Sequence, residues 1–151
     1  MNIRTATIKD LEAVTSVEAE CFPPAEAATR EELAERLKYY ADHFWLMFDG
    51  DKLIAFVDGF VTDEEDLTDE MYAKAQLHNE SGAWQMIFGV NTIPSYRKHG
   101  YAGELIKCAI EDARKKESKK YEKDNYRRDD RNFVCICAKN QLCSSTKYYG
   151  R

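Results

Sequence analysis

The 151-residue chain is long enough for one domain with its own hydrophobic core and too short for two. Its 44% apolar and 32% charged residues exclude a disordered or collagen-like polymer. With 27 acidic against 22 basic residues and a net charge of -5, it lacks the basic excess of a duplex-binding protein.

Ile3–Thr5 reads as a short strand, and Thr7 and Asp10 are spaced as a capping pair. Leu11, Val14 and Val17 recur at helical spacing as far as Cys21-Phe22, where Pro23-Pro24 ends the helix in a stiff corner. Thr29-Arg30-Glu31-Glu32 is a capping box, opening a second helix with Leu33, Leu37 and Tyr40 on one stripe. Phe44–Phe48 and Lys52–Val61 read as strands joined by the hairpin turn Asp49-Gly50-Asp51. The unbroken apolar run Leu53–Val57 predicts a strand covered on both sides and is far too short to span a membrane. Asp69–Leu77 is expected as a helix capped by Thr68, with His78–Gly82 as its exit. Trp84–Val90 is a further strand that continues loosely to Ile93. Pro94–Gly100 is a turn, and the helix after it buries Leu105, Ile106, Ala109, Ile110 and Ala113.

From Lys115 the composition changes. Residues 112–131 carry 9 basic and 6 acidic side chains, so 115–132 is expected as a charged, exposed loop insert, a basic patch on an acidic body. Phe133–Cys137 is the last clear strand, and 138–151 is expected as a short tail with a helical turn or two. A hairpin first and strand–helix–strand later predict one domain over residues 1–151, of the α/β (α+β) class, with a mixed central sheet and helices on both faces.

Met1–Asp10 lacks the apolar centre of a signal peptide, which points to the cytoplasm. Five cysteines, at 21, 108, 135, 137 and 143, do not make a disulfide framework. Cys135 and Cys137 share parity and hence one face of their strand. His43, His78 and His99 have no zinc-like spacing to the cysteines, so no metal is expected.

The densest chemistry lies at Arg97-Lys98-His99-Gly100-Tyr101-Ala102-Gly103, where a strand gives way to a helix. Unpaired N–H groups and the dipole of a helix start favour negative charge, and glycine and alanine keep side chains off a bound group. Arg97 and Lys98 add positive charge. Two readings fit these residues: a phosphate or pyrophosphate site, or a helix-start turn with glycines for geometry alone. Neither Gly-x-Gly-x-x-Gly nor a Walker lysine motif is present.

Arg97-x-x-Gly100-x-Ala102 resembles the acyl-CoA pyrophosphate motif of the GNAT N-acetyltransferase superfamily. Ile3-Arg4-Thr5-Ala6 with Asp10-Leu11 is similar to that superfamily's opening strand and helix. Glu18–Pro23 with Glu26-Ala27-Ala28, Asp69–Tyr72, Leu77-His78 and Pro94–Arg97 resemble the arylalkylamine (serotonin-type) subgroup. The likeness covers residues 2–114, with a weaker echo in 133–150. It implies a GNAT-like acyl-CoA N-acyltransferase fold with its last strands missing here, and acetyl-CoA as cosubstrate. The diphosphate is then expected on Arg97, Lys98, His99, Gly100, Tyr101, Ala102 and Gly103. The pantetheine arm is expected along Val90, Asn91, Thr92 and Ile93.

The implied chemistry is direct transfer of acetyl to a small primary amine, with a base, an oxyanion donor and an acid for the thiolate. Where the subgroup carries a histidine pair, this chain has Met86 and Phe88, which cannot titrate. Glu18, Glu20, Glu26 or His78 acting through water are the candidates left, with Glu26 and His78 foremost. At the family's thiolate acid Thr146 aligns, and Tyr148 is two residues along. The expected function is an acetyl-CoA-dependent N-acetyltransferase. The alternatives are a weakly active or non-catalytic CoA-binding relative, and protein N-acetylation. No nucleic acid or membrane partner is expected, and the chain is expected as a monomer or as a dimer through an uncovered C-terminal sheet edge.

Overall fold

The computed structural model describes residues 1–64, 66–124, 133–136 and 146–149, in 117–149 only through the backbone. The chain opens with β1 (Asn2–Thr5), α1 (Leu11–Cys21) and α2 (Arg30–Tyr40), followed by β2 (Phe44–Asp49), β3 (Lys52–Asp58) and β4 (Val61–Thr62). Then come α3 (Asp69–Ala73), β5 (Trp84–Ile87), β6 (Gly89–Thr92), α4 (Tyr101–Asp124), β7 (Phe133–Ile136) and β8 (Thr146–Tyr149). Two of the three predicted caps form; Thr68 precedes α3 without a side-chain cap bond. Glu32 N–H donates to the Thr29 hydroxyl at 3.2 Å while the Glu32 carboxylate accepts from Thr29 N–H at 2.7 Å. Asp10 accepts from Thr7 N–H at 2.8 Å and from Arg4 at 2.7 Å.

The strands form two four-stranded ladders, β1-β2-β3-β6 and β4-β5-β7-β8. The first is antiparallel throughout, with Trp45 opposite Val57 and Phe56 opposite Asn91. In the second, β5 and β7 run parallel. Every residue from Leu53 to Val57 is buried whatever its parity, because α1 packs on β3 and β6 while α4 packs on β2, β3 and β6. The core joins Phe44, Leu46, Ile54 and Phe56 from the hairpin to Phe60, Phe88, Ile93 and Leu105.

The predicted strand Trp84–Val90 is interrupted at Phe88. Its first half pairs with β4 and β7 and its second half with β3. A close approach enforces the break: a Cβ on Gly59 would lie 1.7 Å from the Met86 carbonyl oxygen. Around that contact, Met86 N–H donates to Phe60 O and Phe88 N–H to Asp58 O. Gly59 also ends β3 earlier than expected, at Asp58. Beside it a buried ion pair joins α2 to β3, Arg36 to Asp58 at 3.1 Å.

Three expectations are corrected. The helix expected over 69–77 is α3 and a separate 3-10 turn, Ala75–Leu77. The stretch expected as a charged loop continues α4 to Asp124, since arginine, lysine and glutamate are strong helix formers that need no burial. The tail expected as helical contains a strand instead: β8 pairs antiparallel with β7, Tyr148 opposite Val134, so a strand follows β7 where the last strands were expected to be missing. Cys137 and Cys143 lie outside the described residues.

Gly59→Ala is expected to lower stability by about 3 kcal/mol or more, because backbone must move. Gly103→Ala, whose Cβ meets open space on a helix, should be neutral or stabilising by up to about 1 kcal/mol. Urea unfolding of both variants checks this; equal effects would show that the Gly59 contact is not rigid.

Candidate functional site

At Phe88 the chain leaves the β5–β7 ladder for β3. Among the described residues β6 pairs with β3 alone, so its other edge offers backbone groups to an extended ligand in the manner of an added strand. Val90 and Thr92 are half-buried, while Asn91 and Ile93 are buried. The seven-residue loop lies just beyond this edge.

A 3-10 turn, Pro94–Tyr96, leads into two left-handed residues, Lys98 at φ 67° and Gly100 at φ 84°. A left-handed lysine is strained by roughly 1–2 kcal/mol, and such alternation turns successive N–H groups toward one concavity. Helix α4 then starts, and its first internal bond is Glu104 N–H to Gly100 O at 3.1 Å. The N–H groups of Tyr101, Ala102 and Gly103 precede that bond and point out of the helix start. A Cβ on Gly100 or Gly103 would meet nothing within 4 Å, so packing does not demand either glycine. The loop is anchored on both flanks. Arg97 Nε donates to Thr92 O at 3.0 Å, and the Tyr96 hydroxyl donates to Asp49 at 2.8 Å. His99 Nδ1 faces the Tyr96 and Arg97 carbonyls, so it carries a proton, and its ring stacks on Tyr101. Arg97 also reaches the Cys21 thiol, whose pKa burial raises and Arg97 opposes.

The titratable candidates separate. Met86 and Phe88 are fully buried, and Phe88 packs on Phe60 and Tyr72. Glu20 and Glu26 are exposed, the latter in the corner after α1, where Glu26 N–H donates to Pro23 O. Glu18 is buried, with one oxygen accepting from Ala28 N–H and the other from Asn91. Tyr148 is in β8.

His78 belongs to a cluster that the sequence did not reveal. Gln85 donates its amide to Phe60 O and Met86 O, so its Oε1 accepts and His43 Nδ1 must donate, at 2.6 Å. His43 Nε2 lies 2.7 Å from Glu80 Oε2, and Lys116 donates to Glu80 Oε1 at 3.1 Å. These bonds hold Glu80 down to about 2, the His43 bond first, with burial opposing. His78 Nδ1 accepts from Val61 N–H at 3.1 Å, leaving its proton on Nε2 toward Glu80. Burial first, then the neighbouring His43, lowers the His78 pKa. His43, His78 and Glu80 have donor atoms within 4.8 Å of one another, as a metal site would. The arrangement does not suit one: His78 Nε2 has no lone pair free while Val61 holds Nδ1, and the Lys116 ammonium already stands 3.2 Å from His43 Nε2.

The sequence pattern described as the Acetyltransferase (GNAT) family matches residues 11–133. The chain belongs to that family. GNAT proteins are acyl-CoA-dependent acetyltransferases, and solved structures similar to this one carry the same fold. The loading GNATL domain of CurA from Lyngbya majuscula is 21% identical, with a TM-score of 0.67 over 74% of this chain and 57% of that one. The GNAT-like decarboxylase GphF in complex with isobutyryl-CoA is 25% identical, with a TM-score of 0.68 over 76% and 60%. The PaiA N-acetyltransferase from Thermoplasma acidophilum, in complex with CoA, is 14% identical, with a TM-score of 0.58 over 93% and 80%. This chain therefore spans less than two thirds of the first two. No curated protein matches the sequence. No helix among the described residues is long and apolar enough to cross a membrane.

Glu80 and Asp10 are both held down to about 2, Asp10 chiefly by its hydrogen bond from Arg4. Carboxyls depressed on folding contribute stability above their unfolded pKa, near 4–4.5, and lose it as pH falls toward 2. The urea midpoint should therefore fall between pH 6 and pH 3, and less steeply in Glu80→Gln. An unchanged slope in that variant would show that the cluster contributes nothing.

Proposed function

We propose that this GNAT protein transfers acetyl from acetyl-CoA to a small primary amine by direct attack. The reading rests on one arrangement: the open edge of β6 continuing into the Arg97–Gly103 loop. The pantetheine arm would bond along Val90, Asn91, Thr92 and Ile93. The diphosphate would lie over the N–H groups of Lys98–Gly103, with Arg97 and Lys98 supplying charge. Acetyl-CoA supplies the activated acyl group; two of the similar structures hold isobutyryl-CoA and coenzyme A.

The amine nitrogen forms a bond to the thioester carbon, and collapse of the adduct breaks the C–S bond. A proton leaves the amine and one is delivered to the thiolate. Glu26, exposed in the corner after α1, is our candidate to take the first through water. Tyr148, in the strand beside β7, is our candidate to supply the second. His78 is set aside, since both its nitrogens are engaged. The acidic surface favours a cationic amine, and the resemblance to the arylalkylamine subgroup supports a primary one. A second reading, CoA binding with little turnover, is favoured by Met86 and Phe88, whose buried side chains have no proton to exchange.

Gly103→Glu separates binding from folding. An acid in the first turn suits the helix dipole, while at a diphosphate site it repels. Stability should be kept and acetyl-CoA affinity should fall more than about tenfold by isothermal titration; unchanged affinity would remove the site. Amine-dependent thiol release, with an amine-free control for hydrolysis, then decides between transfer and mere binding. Tyr148→Phe should lower kcat by about 10²–10⁴ with the acetyl-CoA Kd unchanged. A kcat near wild type would remove Tyr148 from the mechanism.

A further inference from the structure

Glu18 is 5% exposed, deep on the inner face of α1. Its two oxygens are held by donors from two different segments, the corner after α1 and strand β6. Oε1 accepts from the N–H of Ala28 at 2.8 Å, and Ala28 closes the Pro23–Ala28 corner that carries Glu26. Oε2 accepts from Asn91 Nδ2 at 2.6 Å, and Asn91 lies in β6, whose free edge is the acyl-CoA strand. A carboxylate can only accept, so it also orients the Asn91 amide: Nδ2 turns toward Glu18, and Oδ1 is left buried without a partner. A residue needed for packing alone would be apolar here, since a desolvated carboxylate is costly unless its hydrogen bonds are well made.

We propose that Glu18 is a positioning residue for the transfer reaction: its carboxylate fixes the corner bearing Glu26 at a set distance from the β6 edge. Asn91, Glu18 and Ala28 thus form a polar tie from cofactor strand to acceptor side, and no proton moves along it. This rests on the acetyl-transfer reading above.

Two substitutions distinguish a tie from a proton carrier. In Glu18→Gln, the amide oxygen can keep the Ala28 bond, and its N–H can meet Asn91 once that amide turns its unpartnered Oδ1 around. Glu18→Leu makes neither bond. The glutamine variant should retain kcat/KM for the amine within about threefold, with an unaltered pH profile. The leucine variant should lose about 10–100-fold, the scale of a misplaced reacting group, while its acetyl-CoA Kd stays within about twofold. Hydrogen exchange at the Ala28 amide should quicken in the leucine variant alone. Wild-type turnover in Glu18→Leu overturns the proposal. So does a glutamine variant as impaired as the leucine one, or one that loses a limb of the pH profile, which would make Glu18 a proton carrier. If Glu18→Leu does not fold, the glutamine variant's rate and pH profile decide alone. A wild-type protein that binds acetyl-CoA yet acetylates no amine overturns the transfer reading, and with it the positioning role. Unchanged Ala28 exchange in the leucine variant overturns the tie itself.

Discussion

The contact between Gly59 and the Met86 carbonyl governs the layout of the molecule. With no side chain at 59, two backbones close to a distance that no other residue permits, and the strand through Phe88 is turned from one ladder to the other. From that follow the free edge of β6, the entry into the loop beneath it, and the start of α4. Phe88 fills the space opened by the turn, packed among Phe60, Tyr72 and Tyr40. The position that might have carried an acid or base therefore carries a core aromatic.

Polar bonds hold the helical layer to this centre. Arg36 runs from α2 to Asp58 and to the Tyr72 carbonyl, and Glu18 runs from α1 to Asn91. On the other face Trp45 Nε1 donates to Asp112 of α4 at 2.8 Å. Breaking a buried ion pair by removing one partner is far more damaging than replacing both, because the remaining charge has lost its solvent and its partner. Helix placement here is thus set by directed bonds as well as by apolar packing. The corner after α1 and the edge strand β6 are held in one frame.

Local features were legible in the sequence. The capping boxes, the hairpin at Asp49-Gly50-Asp51 and the unbroken run Leu53–Val57 each reflect interactions between near neighbours or burial on both faces, and each is where the spacing predicts it. The Arg97–Gly103 loop was legible for the same reason, since its chemistry is contiguous. What escaped was long-range. Nothing near Phe88 announces a break that depends on Gly59, and nothing near His43 announces Glu80, 37 residues away. The extension of α4 escaped because charge was read as exposure, and exposure does not prevent a helix of lysine and glutamate. Thr-Lys-Tyr-Tyr in β8 has ordinary strand residues, but four residues among polar neighbours carry too little pattern to be seen alone.

The left-handed turn at Lys98 has a kinetic consequence. Its strain is met when the protein folds, so a diphosphate ligand that takes the proposed site needs little rearrangement of the loop on arrival. Encounter is then governed by charge at two ranges. At long range a body of net charge -5 repels an anion, and added salt relieves that repulsion beyond about a Debye length, roughly 10 Å at 0.1 M. At contact Arg97 and Lys98 attract it, and salt weakens that attraction. Ionic strength therefore speeds arrival and hastens departure together, leaving affinity less sensitive to salt than either rate.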